Sequence, residues 1–126
     1  MTLSRRKARR QALFLLYQWD LSGQQIGSQY AGEIDPWARG VAEAVAQRAE
    51  QLDARITGAS EGWTADRLGT VERSALRVAV HELQTGEVPA EVAINEAVAF
   101  TKRYASEDGA RLVNGILGKI QREEAA

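Results

Sequence analysis

Five cations crowd into six positions near the start of the chain: Arg5, Arg6, Lys7, Arg9 and Arg10, interrupted only by Ala8. Side chains of this type at this density can neutralise several phosphates at once and release the counterions condensed on a nucleic acid, so binding through them is steeply salt-dependent. Arginine outnumbers lysine four to one in this run, which favours planar two-pronged phosphate contacts and stacking on unpaired bases, as in single-stranded RNA recognition. The rest of the chain has no such concentration. Positions 11–99 hold 6 basic and 13 acidic side chains, and positions 100–126 hold 5 and 4. A basic arm on an acidic body, at a net charge of −1, suits docking to a polyanion better than an evenly dispersed surface would.

Residues for catalysis or metal binding are missing from the pattern. The absence of cysteine removes thiolate ligands, a thiol nucleophile and disulfides together. The one histidine, His81, precedes Glu82 but has Thr85 four positions on, so it does not begin a zinc-protease motif. Gly115 and Gly118 flank an apolar pair with no strand before them, which excludes a phosphate loop. The sequence therefore predicts a protein that is not an enzyme, with no catalytic residue, metal or cofactor, and with His81 as a packed or surface residue.

The elements that must position the arm are helical. At 126 residues the chain fits one domain, residues 1–126, and with two prolines and no alternating β-branched runs it reads as all-α. Ser4 can cap a first helix over 4–21 that stops before Gly23, with Ala8, Ala12, Leu15, Leu16 and Trp19 inward and Arg6, Arg10, Leu13 and Tyr17 along one face. Residues 22–34 are polar and glycine-rich and read as a loop. Asp35-Pro36 starts a helix carrying Val41, Val45, Ala49, Leu52 and Ile56 inward to a stop at Gly58. A turn with Trp63 and Leu68 leads to a helix capped by Thr70 and ended by Gly86, packing through Val71, Ala75, Leu76, Ala79 and Leu83. Pro89 opens the next, with an apolar face from Ala93 to Tyr104, and Ser106 with Glu107 and Asp108 starts the last, packing through Val113, Ile116, Leu117 and Ile120. The tail, about 121–126, is expected to be flexible, and Asn95, Glu96 and Asn114 to be buried groups that fix helix packing. The longest run without a polar residue, Ala12 to Tyr17, is far too short to span a bilayer, so a cytoplasmic protein is expected, without membrane association.

Several blocks in fixed order carry a resemblance. They are Arg5-Arg6-Lys7-Ala8-Arg9-Arg10, Leu16-Tyr17-Gln18-Trp19-Asp20-Leu21, Thr70-Val71-Glu72-Arg73-Ser74-Ala75-Leu76-Arg77-Val78-Ala79, Val88-Pro89-Ala90-Glu91-Val92-Ala93-Ile94-Asn95-Glu96-Ala97, and Glu107-Asp108 with Leu112-Val113-Asn114-Gly115-Ile116-Leu117. Together they span nearly the whole chain, which resembles the NusB family of bacterial transcription antitermination factors. The resemblance implies two packed helical subdomains forming one compact NusB-like domain. It further implies pairing with NusE, a ribosomal protein working outside the ribosome, binding of the boxA element of nascent ribosomal RNA, and help to RNA polymerase in reading through terminators. Residue by residue, it gives the RNA backbone to Arg5, Arg6, Lys7, Arg9 and Arg10, further RNA contacts to Asp108 and Arg111, and the NusE contact to Tyr17 and Glu72. Leu112 stands where many members carry an aromatic residue, which removes a base-stacking contact, and His81 also replaces a more usual aromatic.

Two other readings compete. NusB-like modules also open ribosomal RNA cytosine methyltransferases, but those chains are longer and carry a Rossmann-like domain, whereas no strand-glycine-helix signal occurs before Ala126. A helical scaffold that dimerises without binding RNA leaves the arm unexplained, because charge gathered on one helix end does nothing for an apolar interface. A possible homodimer stays open.

Overall fold

The computed structural model describes residues 3–125, and these form six α-helices with no strand among them. They are α1 (Arg5–Ser22), α2 (Pro36–Gln47), α3 (Ala49–Ala59), α4 (Thr70–Thr85), α5 (Ala90–Tyr104) and α6 (Glu107–Ala125), with a short 3-10 turn at Ala65–Arg67 before α4. The helices α1–α3 make one subdomain and α4–α6 the other, and α4 packs against all five remaining helices. This is the all-α, two-subdomain arrangement expected.

Local chemistry explains the boundaries. The Ser4 hydroxyl accepts from the Lys7 amide at the head of α1, and Gly23 ends it in the left-handed conformation (φ 70°). Asp35 caps α2 by accepting from the amides of Trp37 and Ala38, and its other oxygen accepts from the Leu3 amide at 3.1 Å. The Leu3 contact, then the two cap bonds, hold the Asp35 carboxyl below its ordinary pKa against the opposing effect of burial. One aspartate thus starts α2 and fixes the chain just ahead of α1. Ser106 caps α6 through the Gly109 amide.

Four expectations need correction. The single helix anticipated after Pro36 is broken at Arg48, where the amide bonds back to both Ala44 and Val45, the tighter pattern of a terminal turn. Ala49 is consequently only half-buried, and α3 runs through Gly58 to Ala59. Thr70 is the first residue of α4 rather than its cap; Gly69 takes the capping position and no side chain caps there. The segment 121–125 is helical, because Arg55 on α3 pairs with Glu123 at 2.9 Å and Glu124 at 3.3 Å; Ala126 lies outside the described residues. Asn95 and Asn114 are exposed and Glu96 half-buried, so these polar groups line the surface between helices instead of pinning the core.

The core gathers on α4, whose residues Ser74 to Glu82 are all buried. Two of these nine are charged, and each is answered by an opposite charge. Glu82 accepts from Arg9 Nη2 at 2.8 Å and Nε at 3.1 Å, with both side chains at most 5% exposed. Arg77 donates to both oxygens of Asp53 on α3 at 2.7 and 2.8 Å and lies 3.4 Å from Asp20 on α1. Burial disfavours the Arg77 charge, but Asp53 and then Asp20 outweigh it and raise the pKa. Arg73 joins the network by donating to Asp20 at 2.5 Å. The pairs Arg9–Glu82 and Asp20–Arg73 run in opposite chain directions, so α1 is antiparallel to α4. His81, also buried, presents Nδ1 to an Arg48 N–H at 2.7 Å, an acceptor role that requires the neutral ring.

Removing one member of a buried pair strands the other charge, so Arg9→Ala or Glu82→Ala should each lower unfolding stability by about 3–5 kcal/mol in denaturant titrations. A loss below about 1 kcal/mol would show that the pair does not hold α1 to α4. His81 gives a pH signature. Burial and then the Arg48 charge hold its pKa below the ordinary value, with Glu87 opposing weakly. Below about pH 6.5 the unfolded chain therefore takes up a proton that the folded chain refuses. Stability should fall as pH drops through that window and level off below the lowered pKa. A His81→Gln chain should lack this component, and identical pH–stability curves for the two chains would contradict it.

Candidate nucleic-acid interface

The register of α1 sorts the five cations. With Ala8, Ala12, Leu15 and Leu16 buried, Arg5, Arg6, Lys7 and Arg10 face outward and are exposed. Arg9 alone turns inward to Glu82. Its guanidinium is buried against Glu82, unlike those of the other four cations expected to take phosphate, although Arg9 also borders the groove between α1 and α5. The same turn gives the arm a rigid footing. Trp37, in the first turn of α2, lies under the Arg5 guanidinium at 4.1 Å and beside that of Arg9 at 5.7 Å, so one ring supports an outward and an inward cation. Arg6, 73% exposed, reaches Glu96 on α5 at 3.3 Å. Arg6 and Arg10 together wall a groove of about 520 Å3 between α1 and α5, closed on the far side by Lys102, Arg103 and Tyr104.

Of the remaining candidate residues, Tyr17 and Glu72 lie toward the far end of α1, and Asp108 and Arg111 lie at the start of α6. Tyr17 is half-buried, eleven residues beyond Arg6, a rise of about 16 Å along the helix. Glu72, in the first turn of α4, sets its carboxylate against the start of α6: a Cβ built on Gly109 would stand 3.1 Å from its Oε2. A Cβ on Gly69 would stand 2.8 Å from Oε1. The carboxylate therefore faces the positive ends of two helices, and both glycines leave room for it. Asp108 and Arg111, one turn apart on α6, pair with each other while staying mostly exposed. The structure thus brings Glu72 and the start of α6 together, and Lys102, which pairs with Glu107, stands between the start of α6 and the groove of Arg6 and Arg10.

Some of the surface escaped sequence reading. Trp37 lies far from the arm in the chain, and only the Leu3–Asp35 contact and the start of α2 reveal their closeness. Lys102 and Arg103 carry no signal in the sequence, because nothing local shows that α5 lays them beside α1. Trp63, half exposed, shares a cavity of about 400 Å3 with Leu112, Arg111, Lys119 and Arg122. Its exposure is a tertiary outcome. No group of three or more His, Asp or Glu able to hold a metal ion occurs among the described residues.

Comparison with known proteins agrees with this geometry. Residues 6–122 match the model of the NusB family. A transcription antitermination protein NusB from Rubrobacter xylanophilus is 43% identical over 122 residues, covering 91% of this chain and 88% of its own. Another from an Anaeromyxobacter species is 39% identical, covering 95% and 91%. The structure superposes on NusB of T. maritima with a TM-score of 0.85 at 29% identity, covering 98% and 94% of the two chains. It also matches a chain in the crystal structure of antitermination factors NusB and NusE in complex with dsRNA, with a TM-score of 0.81 at 29% identity over 94% and 96%. By sequence along nearly its whole length and by fold, the chain belongs to the NusB family.

Proposed function

We propose that this chain is a transcription antitermination factor that binds the boxA element of nascent ribosomal RNA together with NusE, as part of the RNA polymerase antitermination complex. The observation that carries the reading is the set of four outward cations, Arg5, Arg6, Lys7 and Arg10, within two turns of a helix locked to the core by the fifth. A related chain assembles with NusE and dsRNA in a crystal structure, which supports both partners. Relatives named as antitermination proteins are matched over 88–94% of their length, which favours this reading over a methyltransferase module.

In this reading the arm takes RNA phosphates without reading sequence, and Tyr17 with Glu72 presents the NusE contact at the opposite end. Asp108 cannot attract phosphate. Its part is to accept from base or ribose donors, or to repel a misplaced backbone, with Arg111 beside it. The protein acts by binding rather than turnover, and in the cytoplasm where transcripts form. No described helix is long and apolar enough to cross a membrane.

Neutralising Arg6 and Arg10 together should weaken boxA and scrambled RNA alike and reduce the salt slope of binding by about 1–2 units, each single-strand contact contributing roughly 0.7. Titrations at three salt concentrations check this; a variant that changes only the boxA preference contradicts it. For NusE, Glu72→Lys should weaken the pair by about 1–3 kcal/mol in calorimetry, with Glu72→Gln between it and the wild type. Because Glu72 also faces two helix ends, thermal melting is read alongside. Unchanged affinity for both folded variants removes Glu72 from the contact.

A further inference from the structure

Half of Trp63 stands in solvent, although burying a tryptophan removes more apolar surface from water than burying most other side chains. The loop after α3 is bent to present it. Glu61 has φ 31°, the one positive value at a non-glycine residue among those described, and Gly62 follows at φ 90°. The Trp63 amide then closes the turn by donating to the Ser60 carbonyl at 3.0 Å. Left-handed backbone at a residue with a side chain costs free energy, and such positions gather at binding sites. The ring borders a cavity of about 400 Å3 against α6, a volume that suits a small ligand. Ile116 contributes to an apolar floor, and Gly115 leaves it open, since a Cβ built there meets no atom within 4 Å. Glycine in the middle of a helix is less stable than alanine, and packing within this chain gives no reason for it here. Lys119 and Arg122 border the same cavity, three residues apart and so neighbours on one face of α6. Arg122 enters no ion pair among the described residues. Lys119 meets only Glu61, at 3.8 Å, and that carboxylate is 85% exposed, a contact that an arriving anion displaces.

We propose that this cavity binds a free purine nucleoside phosphate, with its base on the Trp63 ring and its phosphates at Lys119 and Arg122. An exposed indole stacks on the flat face of a base, and a two-ring purine covers it best. The neighbouring cations meet a doubly charged phosphate, and a planar ring joined to such an anion in one small molecule is the chemistry of a nucleotide. The site goes beyond the RNA-binding reading and does not rest on it. No residue of the arm lines the cavity, and Lys119 stands about 16 Å along α6 from Asp108.

The test uses the full-length chain with ADP, adenosine and inorganic pyrophosphate as probes, read by calorimetry and by tryptophan fluorescence. Trp63 is the most exposed of the three tryptophans, so ADP should bind and quench its emission. Adenosine and pyrophosphate, each one part of the ligand, should bind at least about tenfold more weakly than ADP. Trp63→Leu should weaken ADP about tenfold, the order of one lost base stack. Trp63→Phe should keep the affinity within about threefold, because a smaller ring still stacks, while losing the quench. Lys119→Gln with Arg122→Gln should also weaken ADP about tenfold while leaving adenosine unchanged, a split that a merely unfolded chain does not give. Arg6→Ala with Arg10→Ala should bind ADP as wild type does. Absence of saturable ADP binding to the wild type up to about 5 mM, near the weak limit of measurable affinity, overturns the site. Pyrophosphate binding as tightly as ADP overturns it too, since that is general anion attraction. ADP binding that survives Trp63→Leu and disappears with the arm cations places the nucleotide on the arm and overturns the proposal.

Discussion

The arrangement depends on one buried ion pair, Arg9 with Glu82. α4 is surrounded by the other five helices, and a helix buried along nine consecutive residues would ordinarily be apolar throughout. Glu82 on such a helix requires a fixed cation, and Arg9 meets its carboxylate side-on with two N–H donors. A pair this deep makes a poor stabiliser compared with apolar residues of the same volume. What it supplies is agreement in orientation: the inward face of Ala8, Ala12, Leu15 and Leu16 and the Arg9–Glu82 pair set the same rotation of α1, with Arg5, Arg6, Lys7 and Arg10 pointing outward.

Other contacts brace the same placement. The Asp35 carboxylate holds the Leu3 amide, Trp37 lies beneath Arg5, and Asp20 near the far end of α1 meets Arg73 and Arg77 on α4. α1 is therefore tied at both ends, and its outward charges sit on a rigid helix rather than on a loose tail. Rigid placement lowers the conformational entropy lost when a polyanion binds. Under the proposed function the partner contact uses the other end of the same axis. Tyr17 lies on α1, and Glu72 of α4 lies where the starts of α4 and α6 meet.

Much of this was legible in the sequence, and the failures share a cause. Helix boundaries set by local chemistry, such as Ser4, Gly23, Asp35-Pro36, Gly86 and Ser106, are readable because capping residues act on their own backbone. The family blocks were readable because order and spacing survive in one dimension. What could not be read was which member of a charged run turns inward. Arg9 differs from Arg10 only through Glu82, 73 residues away. The helical tail has the same origin, since Glu123 and Glu124 look like solvated charges until Arg55 is placed beside them. Asn95 and Asn114 erred the other way: apolar neighbours in sequence suggested burial, yet on a helix adjacent residues face different directions. Lys102 and Arg103 became part of the basic surface only through the packing of α5 beside α1.

On this reading Arg9 is held inside the protein by Glu82 and does not itself touch RNA. Substituting the pair together, Arg9→Met with Glu82→Leu, removes both buried charges without stranding either, an exchange that is often neutral or stabilising. The most direct measurement is the salt dependence of RNA affinity for this double variant beside the wild type. A folded chain with an unchanged slope is expected, because Ala8, Ala12, Leu15 and Leu16 still face inward and keep all four outward cations in place. A slope lower by about 0.7, the value of one lost single-strand phosphate contact, in a chain that melts like wild type would place Arg9 on the RNA and contradict the account.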